Sequence, residues 1–178
     1  LRVGRFERIF GAFRSARWHA LARHGHWYAG DSGCGWLRLD VASALLSHDV
    51  AVIDMVPGIS AARLEAMLTP RPEAVLLRAY GVGNVPSDEP GLTDVIADVL
   101  HDDVPVVIAS QCQQAEVLLG HYETGDAIAR AGAIGSGDMT LEATYAKIMF
   151  LLSQGVTRVD FGKWMRVSIA GEISPSSL

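Results

Sequence analysis

The segment VAVIDMVPGIS, Val50 to Ser60, decides how the rest of the chain is read. Val50-Ala51-Val52-Ile53 is a continuous apolar run of strand length, and Pro57-Gly58 ends it in a turn, the pattern of a buried strand. Ser60 stands where an N-cap belongs, and Ala62, Leu64, Ala66 and Leu68 lie in the short helical stretch after it. The unit then recurs. Ala74-Val75-Leu76-Leu77 is a second apolar run, a helical stretch covers about Leu92 to Leu100, and Val106-Val107-Ile108-Ala109 is a third run. Apolar strands alternating with helices predict an α/β fold, with a parallel sheet covered on both faces.

Downstream lies the clearest helix. Asp138 is placed to cap it, because a short carboxylate accepts backbone N–H bonds that the first turn leaves unpaired. Glu142 suits the positive end of the helix dipole. Leu141, Tyr145, Ile148 and Leu152 recur at helical spacing and predict one apolar stripe, with Thr144 and Lys147 largely off it. Tyr145 and Met149 read as core fillers. Gly155 ends the helix, and a last helical stretch from about Val159 to Val167 precedes a polar tail.

Working outward from these elements, the 178-residue length accommodates one domain plus a further segment. Hydrophobic residues make up 49% and charged residues 20%, a core-forming composition that excludes a disordered chain. No apolar run reaches the ~18 residues of a membrane span. The net charge of -5 gives a nucleic-acid role no overall electrostatic support. Cys34 and Cys112 are too few and too far apart for a disulfide scaffold or a zinc knuckle. With no initiator Met and no signal-like segment at the start, the expectation is a cytoplasmic protein, and a piece of a longer one.

Residues 1–40 stand apart, with seven basic and three acidic residues and three of the four tryptophans. Three readings are open for this stretch: a basic, aromatic-interleaved arm for RNA or an anionic surface, a plain flap, or non-native sequence such as a frameshift would produce. Arg17-Trp18-His19 and His24-Gly25-His26-Trp27-Tyr28 follow no sustained helix or strand period. The expected organisation is an irregular segment over 1–40, a linker over 41–48 and a compact domain over 49–178. Limited proteolysis is then expected to cut between about Arg23 and Arg38 and leave residues 49–174 intact.

In open parallel sheets, ligands bind beyond the carboxyl ends of the strands. Three such ends are visible: Asp54 to Gly58, Arg78 to Asn84 and Ser110 to Gln113. Arg78 directly follows a buried strand, where a guanidinium can fork onto a carboxylate. With Ser110 and Cys112 it makes a candidate polar pocket for an anionic metabolite. The alternative is that Arg78 pairs with a structural acid and Cys112 is a small buried hydrophobe. Gly81-Val82-Gly83-Asn84 lacks the third glycine of a dinucleotide fingerprint and reads as a tight turn. There is no phosphate loop, and His48, His101 and His121 are scattered, so neither a metal nor a cofactor is expected. His121 beside Tyr122 and Glu123 reads as a solvated loop rather than an acid–base group, and no nucleophile–base–acid set can be assembled.

Several ordered motifs together carry a resemblance. LRAYGVGNVP from Leu77 to Pro86 and HYETGDAIARAGAIGSGDMTLEATYAKIMFLLSQ from His121 to Gln154 resemble the C-terminal domain of bacterial L-asparaginases, the cytoplasmic type I enzymes in particular. Val56 to Ser60, Ser110-Gln111-Cys112 and the closing Gly171-Glu172 support it. The resemblance runs from near Val50 to Ser174 and implies a small Rossmann-like three-layer domain.

For function, it implies part of an amidohydrolase that converts L-asparagine to L-aspartate and ammonia, with no cofactor. The family's nucleophilic threonines lie in Thr-Gly-Gly-Thr and His-Gly-Thr-Asp-Thr motifs, and neither is present in this sequence. Thr69, Thr93, Thr124, Thr140, Thr144 and Thr157 stand in no such setting, so no catalytic residue is assigned and the isolated chain is expected to be inactive. The resemblance further implies that Asn84, Tyr122 and Thr124 complete the active site of a partner subunit in a homo-oligomer. It also implies that Arg78, Ser110 and Cys112 form an allosteric asparagine site, with Ser110 where the family has threonine. The alternative function is a non-catalytic asparagine-binding sensor or interaction module.

Overall fold

The computed structural model describes residues 47–86, 89–112, 115–117, 119 and 128–174. The expectations for residues 1–40, and for 41–46 of the linker, lie outside them. The described residues group into two compact units, residues 49–138 and residues 139–174 with 47–48.

The first unit is a four-stranded, all-parallel sheet in the order β1-β2-β3-β4. Its strands are β1 (Val50–Asp54), β2 (Ala74–Ala79), β3 (Val106–Ser110) and the short β4 (Ile134–Gly135). Helix α1 (Ala61–Met67) joins β1 to β2, and α2 (Leu92–His101) joins β2 to β3. The three apolar runs of the sequence are the three long strands, as expected of a parallel sheet.

Alternation along the strands divides the side chains between two faces. Ile53, Val75, Leu77, Val106 and Ile108 share one core with Leu64 and Leu68 of the α1 region and with Leu92, Ile96, Val99 and Leu100 of α2. Leu76 and Val107 point to the opposite face and are fully buried too, so the central strands are covered on both sides. Burying side chains of this size contributes about 1.5–3 kcal/mol each.

Local signals set the helix ends. The Ser60 side chain caps α1 by accepting from the Arg63 N–H at 3.2 Å, as its position predicts. Helix α2 has Asp94 in its first turn and His101 in its last, both matched to the helix dipole.

The second unit contains α3 (Leu141–Ser153) and α4 (Arg158–Arg166). Two expectations are corrected here. Thr140, not Asp138, caps α3, because it directly precedes the first helical residue and its Oγ1 accepts from the Ala143 N–H at 3.2 Å. The buried face of α3 is not the 141/145/148/152 stripe either. Ala143, Thr144, Ala146, Lys147, Ile148, Phe150, Leu151 and Ser153 are buried, whereas Tyr145 is 37% exposed and is no core filler.

The burial of Lys147 has a specific cause. Its Nζ donates to the carbonyls of Met165 at 2.8 Å and Val167 at 2.6 Å, and lies 2.7 Å from Glu172 Oε1. Glu172 in turn accepts from the Ile169 and Ala170 N–H groups at 3.0 and 2.6 Å. Three acceptors surround an ammonium with three donors, so a pair that is 2% and 1% exposed leaves no ammonium proton without a partner. Burial pulls the Lys147 pKa down against the opposing pull of Glu172. Burial alone raises the Glu172 pKa, but the Lys147 charge and the two backbone donors bring it below the usual value. We take the pair as charged, because every atom around Nζ accepts.

Candidate functional site at the carboxyl edge of the sheet

Arg78 is the penultimate residue of β2, and strand register sets it beside Asp54, the last residue of β1. The Asp54 carboxylate closes on one guanidinium nitrogen, with Arg78 Nη1 at 2.8 Å from Oδ1 and 3.0 Å from Oδ2. The side chains are 30% and 51% exposed, so this is a surface pair in contact with solvent. Arg78 Nε, by contrast, is buried without a hydrogen-bond partner, as is the nearby Tyr80 hydroxyl. The guanidinium is therefore anchored at one corner, with N–H capacity unspent at another.

Gln111 laces this edge together. Its backbone N–H donates to the Ala79 carbonyl at 2.9 Å. Its side-chain Nε2 donates to the Met55 carbonyl at 2.6 Å and the Arg78 carbonyl at 2.9 Å. Both neighbours are acceptors, which fixes the amide orientation, since only the NH₂ end can face two carbonyls. The carboxyl ends of β1 and β2 are thus tied by one side chain.

Ser110 is turned to a different task. Its hydroxyl donates to the Gly81 carbonyl and accepts from the Cys112 N–H at 2.9 Å. Register pairs Ser110 with Ala79 and Arg78 with Ala109, so the Ser110 and Arg78 side chains leave the sheet on opposite faces. Cys112 is a free, exposed thiol rather than a buried hydrophobe. Of the three residues, Ser110 and Cys112 are in direct contact, and Arg78 reaches them through Gln111 and the shared carboxyl edge.

The Gly81-to-Asn84 stretch is the tight turn its composition predicts. Tyr80 and Asn84 exchange backbone hydrogen bonds at 2.8 Å in each direction. Gly83 sits at φ 114°, and a Cβ there would lie 2.8 Å from Val117 Cγ1, so the position needs glycine both for its torsion and for its closeness to the loop after β3. Asn84 is half-buried at the end of this turn. Tyr122 and Thr124 lie outside the described residues. Among the described residues no cluster of three or more His, Cys, Asp or Glu side chains is placed to hold a metal ion.

Two members of this edge are absent from the sequence-derived set. Gln111 entered only as part of the Ser110-Gln111-Cys112 resemblance, because nothing in an amide after a strand says which carbonyls it will meet. Asp54 carried one: the apolar quartets 50–53 and 74–77 are each followed at once by a charge, Asp54 and Arg78, of opposite sign. Aligning the two runs as neighbouring parallel strands would have paired them.

Comparison with known proteins agrees with this architecture. Residues 49–165 match the family described as Glutaminase/Asparaginase C-terminal domain. The chain is 38% identical over 135 residues to L-asparaginase 1 of Escherichia coli K12, a match that takes in 76% of this chain and 40% of that protein. The crystal structure of L-asparaginase I from Vibrio cholerae superposes with a TM-score of 0.68 at 35% identity, over 73% of this chain and 39% of that one. The thermostable L-asparaginase from Thermococcus kodakarensis gives 0.67 at 34% identity, with the same coverage. The chain thus spans about two-fifths of the length of these relatives. Through residues 49–165, the chain belongs to the Glutaminase/Asparaginase C-terminal domain family.

Proposed function

We propose that residues 49–174 serve as the C-terminal domain of an L-asparaginase, contributing amino-acid binding to an enzyme that hydrolyses L-asparagine to L-aspartate and ammonia. In this reading Arg78, at the carboxyl edge of the sheet, takes the α-carboxylate of L-asparagine in a regulatory site. Cys112 borders that site, and Ser110 shapes it by holding the Gly81 carbonyl and the Cys112 N–H. The observation that carries the reading is the partly exposed Arg78 guanidinium, anchored only through Nη1, in a domain whose relatives include L-asparaginases.

Asn84, with Tyr122 and Thr124, is assigned to the active site of a neighbouring subunit in a homo-oligomer, a dimer or a tetramer. The protein acts in the cytoplasm, uses no cofactor and binds neither nucleic acid nor membrane. Among the described residues no helix is long and apolar enough to cross a bilayer.

The test is calorimetry of the chain with L-asparagine. A charge-assisted hydrogen bond contributes about 1.5–3 kcal/mol, so Arg78→Ala weakens binding by roughly tenfold or more. Equal affinity in the two proteins would place the ligand elsewhere.

A further inference from the structure

We propose that the free edge of β1 is an interface between two copies of this chain: their β1 strands pair antiparallel about a two-fold axis at Val52 and join the two four-stranded sheets into one continuous sheet. The inference is independent of any ligand at the carboxyl edge.

Hydrogen bonding inside the sheet shows which groups of β1 are left over. The strand stands first in the sheet order and, among the described residues, has β2 as its single neighbour. The Asp49 carbonyl accepts from the Glu73 N–H at 2.8 Å, and the Met55 N–H donates to the Arg78 carbonyl at 2.9 Å. Residues 49, 51, 53 and 55 therefore face β2, and alternation turns the N–H and C=O groups of Val50, Val52 and Asp54 outward. Each of these three residues brings one donor and one acceptor to the open edge.

This edge carries none of the usual defences. Edge strands of soluble folds are protected by a lysine, a proline, a bulge or a covering element. The run Val50-Ala51-Val52-Ile53 contains no charge, proline or glycine, and its register with β2 is unbroken over five consecutive positions. Val52 shares a sheet face with its register partner Leu76, yet Leu76 is fully buried and Val52 is 46% exposed. An apolar side chain beside outward-facing backbone groups makes a surface that gains by being covered.

The strand is its own complement. Only outward-facing residues exchange hydrogen bonds in an antiparallel pair. Centring the axis on Val52 sets it against Val52 of the second copy and sets Val50 against Asp54, so every outward residue of both strands is paired. Sliding the strands by one pleat in either direction leaves an outward residue of each beyond the end of the other. Like charges do not meet in the centred register. Asp54, the one ionisable residue of β1, lies opposite an aliphatic side chain and is already paired with Arg78 at 2.8 Å. A parallel sheet accepts an antiparallel strand at its edge, and a two-fold contact draws both halves of the match from one sequence.

The experiment is sedimentation velocity of the full chain across a concentration series. Wild type is expected to approach twice the 19.1 kDa of one chain, and Val52→Lys, which sets two ammonium groups against each other on the axis, is expected to remain a single chain. A second measurement does not depend on that variant folding. Hydrogen-bonded antiparallel partners have Cα atoms about 5.5 Å apart, a spacing that a disulfide spans. With Cys34 and Cys112 replaced by serine, Val52→Cys therefore oxidises to a covalent dimer, whereas Met67→Cys, on the exposed side of α1, remains a single chain. Wild type that stays a single chain at every concentration overturns the inference. So does a dimer that survives Val52→Lys, or cross-linking at position 52 no faster than at 67, because the copies then meet elsewhere.

Discussion

The Lys147–Glu172 pair shows how much one residue can depend on another in a buried setting. Removing the carboxylate in Glu172→Ala strands a buried ammonium and frees the Ile169 and Ala170 N–H groups, and breaking such a pair costs about 3–5 kcal/mol. The double variant Lys147→Met with Glu172→Leu removes both charges and recovers most of that loss. Urea melts of the three proteins check this, and equal stability of the single and double variants would show that charge burial is not the cause. The pH dependence follows from the lowered Glu172 pKa. A carboxyl with a lower pKa folded than unfolded stabilises the fold above its unfolded value and loses that contribution as pH falls through the folded one. The urea midpoint therefore drops in the acid range, and drops less in the double variant. Gly83→Ala is a second test at this scale, because its Cβ meets Val117 Cγ1 at a torsion that L-residues avoid. A loss of about 1–3 kcal/mol is expected from the same melts.

At the scale of elements, α3 separates what a pattern can tell from what it cannot. Glu142 in its first turn and its end at Gly155, which has φ 64°, follow local rules and were legible in the sequence, whereas its cap moved from the expected Asp138 to Thr140. Its buried face was not legible. Hydropathy assigns Thr144 and Lys147 to water, but Thr144 Oγ1 donates to the Thr140 carbonyl at 2.8 Å, and Lys147 finds its acceptors 18 to 25 residues away in sequence. Once the polar ends are satisfied, the methyl and methylene groups are free to pack. Thr140→Ala removes the cap and is expected to cost about 1 kcal/mol, lowering the melting temperature by about 2–4 °C. An unchanged melting curve would mean that the cap contributes nothing. The edge of the sheet teaches the same lesson. Ser110 was a ligand candidate from spacing, yet its hydroxyl serves the Gly81 turn and the Cys112 backbone, because alternation turns it away from Arg78.

For the molecule as a whole, the chemistry of amide hydrolysis sets the clearest expectation. An activated nucleophile and an oxyanion stabiliser act as a unit, and neither Thr-Gly-Gly-Thr nor His-Gly-Thr-Asp-Thr, the motifs that the resemblance implies for them, occurs in these 178 residues. The purified chain is therefore expected to release no ammonia from L-asparagine above a heat-treated blank. Turnover near ~1 per second, the low end for ordinary enzymes, would reveal a nucleophile, and Thr124 is the first residue to mutate.

The sequence by itself determined the three long strands, the helices between them, the parallel α/β class and the family, because each is written in short-range periodicity or in contiguous motifs. It also placed Arg78 at a strand end. Tertiary structure alone decided which polar groups meet: Asp54 with Arg78, the Gln111 amide with two carbonyls at the carboxyl ends of neighbouring strands, and Lys147 with Glu172. These contacts join residues 24 to 56 positions apart and depend on strand register and side-chain direction. Neither is a property of any one segment, since a strand's face is fixed only when its neighbours are in place.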